Sequence, residues 1–442
     1  MPSSSPPRLL VPCPEPWQEE GLQARAFGGE LTLQLDGDDP RHRPRWWRGD
    51  ARRHVDRLVA RWRGRVDGVW SNDDGYGCLV AALVAERLGL PGHAPAAVVR
   101  AQHKLAFRRA LAATAPQWNV AAAALPFAFG GRRDAAAIER AMAEAGLAWP
   151  AFVKPMTGSF SVLARRVASP HELAAHLRLS FADRRVLRAL ARPFAQLAAA
   201  VVPLPCPVEH VLVEAPLTGA LVSVDGFSCD GAAHVFGVVD AWHYDEARRG
   251  ARHFAAFTVP SRQPVSVRHR VRTAALDAVH AVGLGHGLWN VELFVGADGD
   301  VRVVEVNPRG AGQLATLHRD VAGIDVDGIA IALATGGDPF AVPRSEPVAE
   351  VAASFVFRRF DGSPGPVPDE AALRWLAHAH PEARLWLEPV PPRALRREYR
   401  WFGSHRHAVV NTSAADFAAL RRLGAECERR LFGNVAGQSR GA

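Results

Sequence analysis

Glu292, Glu305 and Asn307 lie in two apolar, β-rich runs, Leu288–Val295 and Val301–Asn307, separated by Gly296-Ala297-Asp298-Gly299-Asp300. Asp-Gly between two such runs is a strong signal for a tight turn. With Asp298 and Gly299 as the central turn residues, Ala297 pairs with Asp300. Counting outward, Glu292 then lies opposite Glu305. Strand side chains alternate with period two, so Asn307 shares the face of Glu305. Like charges directly opposite one another are unfavourable. Two carboxylates and an amide oxygen on one face of otherwise apolar strands therefore call for a cation. Hard oxygen donors without cysteine or grouped histidine suit magnesium. The competing reading leaves one carboxylate hydrated at a sheet edge. Pro308 ends the second strand, and Arg309-Gly310-Ala311-Gly312-Gln313 follows. An arginine two residues beyond a metal ligand can face a phosphoryl group or a substrate carboxylate, where bidentate bonding orients it. Gly310 and Gly312 permit close backbone approach.

The basic residues carry a second signal. Of 53 Lys plus Arg, only Lys104 and Lys154 are lysines. Lysine is a compact point charge where arginine is a planar fork. Two retained ammonium groups ahead of a carboxylate hairpin are suited to a nucleotide triphosphate and its magnesium. Arginine bias with chance survivors is the plainer account.

These groups need elements to position them, and 442 residues exceed a single core, so three or four subdomains are expected. The first hundred residues alternate strands (Leu9–Val11, Leu31–Leu35, Val66–Trp70) with helices (Asp50–Arg63 and a run ending at Leu88). The turn Ser71-Asn72-Asp73-Asp74-Gly75-Tyr76-Gly77 joins the third strand to its helix, the α/β pattern that places ligands at strand carboxyl ends. A single helical stretch, Pro95–Ala113, carries Lys104. A strand at Ala151–Pro155 carries Lys154 and leads into the loop Met156–Ser161. Helices are predicted from Ser169 to His176 and over Arg184–Val202. Val211–Glu214 is a strand, Leu221–Phe227 and Ala233–Val239 form a hairpin, and Arg268–Ala281 is helical. A final helix runs from Ala414 to about Leu431.

Composition excludes several classes. No stretch approaches a membrane-spanning helix, and the Pro/Ser-rich start has no apolar signal core. Five dispersed cysteines without C-x-x-C argue for a reducing, cytoplasmic setting and against disulfides or zinc. A net charge of +8 raises the question of nucleic acid, but no recognisable motif accompanies the arginines, so a nucleic-acid partner is not expected.

At this point the chain resembles the ATP-grasp superfamily, from about Val66 to Pro339. The most specific part is Asn290-Val291-Glu292 with Val304-Glu305-Val306-Asn307-Pro308-Arg309, which resembles the family's metal-binding strands. Within the superfamily it looks most like carboxylate–amine ligases of the amino-acid ligase type. The resemblance implies an α/β (α+β) fold. It comprises an N-terminal Rossmann-like pre-ATP-grasp domain (1–100), connecting helices (101–150), a two-lobed ATP-grasp domain and a small C-terminal subdomain (344–442). The two lobes would be a small lid (151–217) and a large lobe with the metal hairpin (218–343). It implies Glu292, Glu305 and Asn307 as Mg2+ ligands, with Mn2+ as a substitute, and Arg309 as the catalytic arginine. Lys104 and Lys154 would contact ATP phosphates under a loop containing Ser159 and Ser161. Glu214, Ala215 and Leu217 would receive the adenine base.

The implied reaction joins a carboxylate to an amine through an acyl phosphate, releasing ADP and phosphate. The partners are these small molecules, and a homodimer is compatible with them. The rivals are a carboxylase-type enzyme, which needs a further lysine, and a non-catalytic nucleotide sensor. Two features depart from the family. Gly219 is followed by Ala220 and Leu221 where many relatives have Gly-x-Glu near the ribose, and the phosphate-covering loop has one glycine. Gly310, Gly312, Gln313, Asp73, Asp74, His243 and Arg262 are candidate substrate-side residues, with Trp242, Arg248, Arg249 and Arg252 near them. A surface loop is the plainer account of Tyr244–His253.

Overall fold

The computed structural model describes residues 5–36, 50–126, 134–158, 163–245 and 252–433. Its strands are β1 (Arg8–Pro12), β2 (Thr32–Asp36), β3 (Gly68–Val69), β4 (Ala122–Leu125), β5 (Ala151–Pro155), β6 (Arg165–Val167), β7 (Val211–Glu214), β8 (Ala220–Cys229), β9 (Ala232–His243), β10 (Phe254–Val259), β11 (Gly287–Val295), β12 (Val301–Asn307), β13 (Val351–Arg359), β14 (Arg384–Leu387) and β15 (His405–Ala414). They form three sheets.

The first sheet is parallel, in the order β2-β1-β3. Leu9, Leu10 and Val11 of its middle strand are wholly buried. The chain leaves β1 toward one neighbour and later returns on the other side. The carboxyl ends of β1 and β3 therefore flank a topological switch point, where crevices form in open α/β sheets.

The second sheet, β4-β7-β5-β6, is antiparallel and carries Lys154 on β5 and Glu214 on β7. Strand β4 lies in the 101–150 stretch predicted to hold only helices. Its run Ala122–Leu125 contains no β-branched residue, and pairing with β7 overrides its weak propensity.

The third sheet has eight strands in the order β12-β11-β8-β9-β10-β13-β15-β14. The helix Val265–Val282 covers part of it. Val271, Ala274, Ala275 and Ala278 form one helical face and are fully buried among Val222, Val224, Val291, Val301 and Val303. Residues after 344 join this sheet through the β10–β13 pair, so they share its hydrogen-bonded ladder.

The β11–β12 hairpin forms with a different turn. Gly296 N–H donates to Asp300 O (2.8 Å), which leaves a three-residue loop with Gly299 at φ 79°. Val295 pairs with Val301, one step away from the expected register. A bulge then restores it: Leu293 pairs with Val303, Val304 is the extra residue, and Glu292 lies opposite Glu305. The predicted facing pair is present, but it depends on the bulge.

The stretch Pro95–Ala113 is likewise two helices, Pro95–Gln102 and Lys104–Thr114, broken at His103. His103 Nδ1 accepts from Ala106 N–H (3.3 Å), and its Nε2 donates to Cys206 O (3.1 Å). Both ring nitrogens are used by a neutral imidazole, and burial lowers its pKa to about 4. Helix propensity alone does not reveal such a break. It puts Lys104 in the first turn of a new helix. The predicted helix from Arg184 begins earlier, at Phe181, where the Ser180 hydroxyl caps it by accepting from Asp183 N–H.

Candidate active site

Three elements converge at the β11–β12 hairpin. The helix Lys104–Thr114 brings Lys104, whose Nζ donates to Glu305 Oε2 (2.8 Å) and to Gly158 O (3.3 Å). Its backbone N–H donates to Met156 O (2.9 Å), which pins the helix start to the end of the β5 segment. Strand β5 brings Lys154, whose Nζ lies 2.9 Å from Glu214 Oε2. One turn beyond Lys104, Arg108 donates through Nε to Glu214 Oε1 (2.6 Å). The same guanidinium reaches Val303 O (2.7 Å) and Val304 O (3.1 Å), the carbonyls at the bulge. Arg108 therefore ties strand β7 to the hairpin.

Electrostatics follow from these pairs. Burial alone would raise Glu305, but Lys104 and Lys154 outweigh it and hold the carboxyl below its usual value. At Glu292 the pull of Arg309 and Lys104 is outweighed. Burial and the charge of Glu305 together push its pKa up. Burial would also raise Glu214, yet Arg108 and Lys154 overcome this and bring it to about 2. Lys154 is lowered by burial, incompletely offset by Glu214. For Lys104 the carboxylates outweigh burial, and its pKa rises.

A buried chain of amides backs the hairpin. Asn307 Nδ2 donates to Asn290 Oδ1 (3.0 Å), and Asn290 Nδ2 donates to Asp225 Oδ1 (2.8 Å). His318 Nε2 donates to the other Asp225 oxygen (2.8 Å). With its nitrogen committed to this chain, Asn307 keeps its oxygen for another partner. Glu292 and Glu305 facing each other beside that amide oxygen are a hard-oxygen donor set that fits magnesium.

The N-terminal sheet supplies the opposite wall. Arg309 donates to Asp74 Oδ2 (3.3 Å) and to Gly310 O (3.3 Å). Burial would lower its pKa, but Asp74 and Glu15 raise it, so it is a permanent cation. Glu15, just beyond β1, was not foreseen. Its Oε2 accepts from Trp17 Nε1–H (2.7 Å), and burial lifts its pKa to about 7 against the pull of Arg309. Asn72 was also missed. Its Oδ1 accepts from Gly310 N–H (3.2 Å). A Cβ on Gly310 would sit 2.7 Å from Leu288 Cδ1, and one on Gly312 would sit 2.9 Å from Trp17 Cδ1. Both glycines thus let this loop approach the N-terminal sheet.

Known proteins share features of this fold. The family model for the ATP-grasp domain matches residues 147–317. Residues 147–317 form an ATP-grasp domain. No curated protein sequence matches the chain. Among solved structures, L-amino acid ligase from Bacillus licheniformis is similar with a TM-score of 0.67 at 15% identity, covering 97% of this chain and 98% of that one. Carboxyaminoimidazole ribonucleotide synthase from Aspergillus clavatus, complexed with ATP, gives 0.66 at 13% identity, covering 96% and 99%. Biotin carboxylase from Campylobacter jejuni gives 0.56 at 12% identity, covering 96% and 85%. At these identities the likeness is one of fold, and it extends over nearly the whole chain.

The remaining candidates divide around this ATP-grasp core. Asp73 is spent locally: its Oδ1 accepts from Gly77 N–H (2.6 Å) at the start of the helix Gly77–Leu88. Gln313 donates to Ser354 Oγ (2.7 Å), at strand β13. Trp242 and Arg262 both pack on Phe417 of the C-terminal helix, and His243 lies against Phe254. Arg252 donates to Gly219 O (3.3 Å). Tyr244 and His253 are 2% and 8% exposed, so the ends of the supposed surface loop are core residues. Ala215 N–H donates to Ala121 O (3.1 Å) just past β7, and Leu217 follows in the connection to β8. Ser159, Ser161, Arg248 and Arg249 lie outside the described residues.

The sequence held a signal for Arg108, four residues after Lys104 and so on the same helical face. Glu15, flanked by Pro14 and Pro16, reads as an ordinary loop residue.

Proposed function

We propose that the chain is an ATP-dependent, ADP-forming ligase that joins a small carboxylic acid or amino acid to an amine. The observation that carries this reading is the facing Glu292–Glu305 pair beside Asn307, with the only two lysines of the chain against it. Glu292, Glu305 and Asn307 would hold Mg2+, which neutralises phosphate oxygens when bound. Lys104 and Lys154 bind phosphate oxygens of ATP. Glu305 and Glu214 hold them in place beforehand, and the carboxylate partners are displaced as phosphate arrives. The segment after Glu214 receives the adenine base through its backbone. Arg309 orients the acyl substrate and supports negative charge as its carboxylate attacks the γ-phosphorus. The lid sheet, closing through β7, excludes water from the acyl phosphate. The amine attacks the acyl carbon, and phosphate leaves.

A carboxylase-type reaction is disfavoured, because no third lysine exists to serve bicarbonate. The deciding experiment is a screen of amino acids and small carboxylates with hydroxylamine as the amine. Hydroxamate with ADP and phosphate supports the ligase. AMP and pyrophosphate would mean adenylation, and tight ATP binding without turnover for any pair would favour a sensor.

A further inference from the structure

We propose that Cys229, Asp230 and His286 form a binding site for a thiophilic divalent cation, of which zinc is the type, at the tip of the β8–β9 hairpin. Their ligand atoms all lie within 4.8 Å of one another, the only such group among the described residues. Sheet register builds the cluster. Strands β8 and β11 pair Ser228 with Gly287, so the next step along the ladder sets Cys229 across from His286. Asp230 follows in the turn, with φ 51°, next to Gly231 at φ 87°. Gly231 N–H donates to Gly285 O (2.9 Å), which holds the turn against the segment before β11.

The imidazole is oriented for ligation. His286 Nε2 is 2.9 Å from Leu333 O, and a carbonyl only accepts, so Nε2 carries the proton. Metal-binding histidines are oriented by such a bond from the other ring nitrogen. Nδ1 is left with a lone pair 3.7 Å from the Asp230 carboxylate. A divalent cation placed between these two acceptors would be attracted to both. With the adjacent cysteine, the group offers one sulfur, one imidazole nitrogen and one carboxylate oxygen, each of which is a zinc ligand. A water would complete a tetrahedron. Binding would release the thiol proton to solvent and leave a thiolate on the metal. The site clamps the β8–β9 turn to the start of β11, the strand that carries Asn290 and Glu292. It shares no residue with the carboxylate hairpin, so it stands whether or not the ligase reading does.

The test is zinc stoichiometry on the metal-stripped full chain, with Co2+ as a spectroscopic probe. Wild type and Glu305→Gln should each bind one equivalent that Cys229→Ser, Asp230→Asn and His286→Gln lose or bind at least tenfold more weakly. Co2+ should produce a thiolate charge-transfer band in wild type that is absent in Cys229→Ser. Asp230 is exposed, so Asp230→Asn folds and keeps the test valid if a second variant does not. Zinc should raise the melting temperature of wild type and leave that of Asp230→Asn unchanged. Equal zinc stoichiometry and affinity in wild type, Cys229→Ser and Asp230→Asn, or no thiolate band in wild type, would overturn the site.

Discussion

Lys154 shows how far one side chain constrains chemistry. Its ammonium sits between Glu214 Oε2 and Val304 O, beside the guanidinium of Arg108. A second planar fork has no room there and would bring two delocalised cations together. Lys154→Arg should therefore weaken ATP binding at least tenfold, about 1.4 kcal/mol, read by calorimetric titration. Unchanged affinity in both Lys154→Ala and Lys104→Ala would remove the phosphate role. Glu305→Gln should reduce turnover to near background while circular dichroism and melting stay close to wild type, because it removes one charge and little volume. Glu15 gives a pH signature. Its pKa in the fold, about 7, lies above the ordinary 4.5, so the folded chain holds a proton that the unfolded chain has lost. Stability from this group is complete below about pH 4.5 and is lost as pH rises through about 7. Glu15→Gln should flatten that part of the denaturation-against-pH curve, and an unaltered slope would show that Glu15 is not perturbed. The sequence made the hairpin carboxylates legible because charge on apolar strands is conspicuous. It hid Glu15, whose burial comes from the fold and whose cationic neighbour Arg309 is 294 positions away by sequence number.

At the scale of elements, the bulge at Val304 and the break at His103 do complementary work. The bulge turns two carbonyls toward Arg108, and the break starts the helix that delivers Arg108 and Lys104. Arg108→Met would leave Glu214 charged, buried and half-paired, with the carbonyls at the bulge unsatisfied. Breaking one partner of such a pair costs about 3–5 kcal/mol. We expect a lower urea midpoint and a matching loss of nucleotide affinity, because the same residue joins lid to hairpin. A large affinity loss with an unchanged midpoint would contradict this dual role. Neither feature was legible beforehand. Asp298-Gly299 reads equally well as a two- or a three-residue turn, and the difference moves the register by one. The facing glutamates survived that error only because the bulge restored the count. His103 was opaque for another reason: its cap depends on Cys206, which no local pattern connects to it.

Across the whole molecule, the pair of Glu214 with Arg108 and Lys154 sets the acid limb of stability. Its carboxyl is at about 2 in the fold against 4.5 ordinarily, so its contribution is full above about pH 4.5 and disappears as pH falls toward 2. The size is on the order of 3 kcal/mol. Glu214→Gln should lessen the steepness of acid unfolding in that window, measured by denaturant titration at stepped pH. The alternation of strands and helices in the first hundred residues and the two strands of the hairpin could be anticipated from the sequence pattern. The joining of β13–β15 to the same sheet as the hairpin could not, because β10 to β13 spans a long connection with no pairing signal of its own. That connection has a consequence for synthesis on the ribosome. Strand β10 is complete once Val259 has emerged, but its outer edge is covered only when Val351–Arg359 follows. Nearly a hundred residues must be translated while an unpaired edge containing Phe254, Ala255, Ala256 and Phe257 stays open to nascent neighbours. Polysome crowding and chaperone supply should therefore govern the yield of this protein more than its final stability does, and a gene fragment cut at residue 343 should accumulate in inclusion bodies.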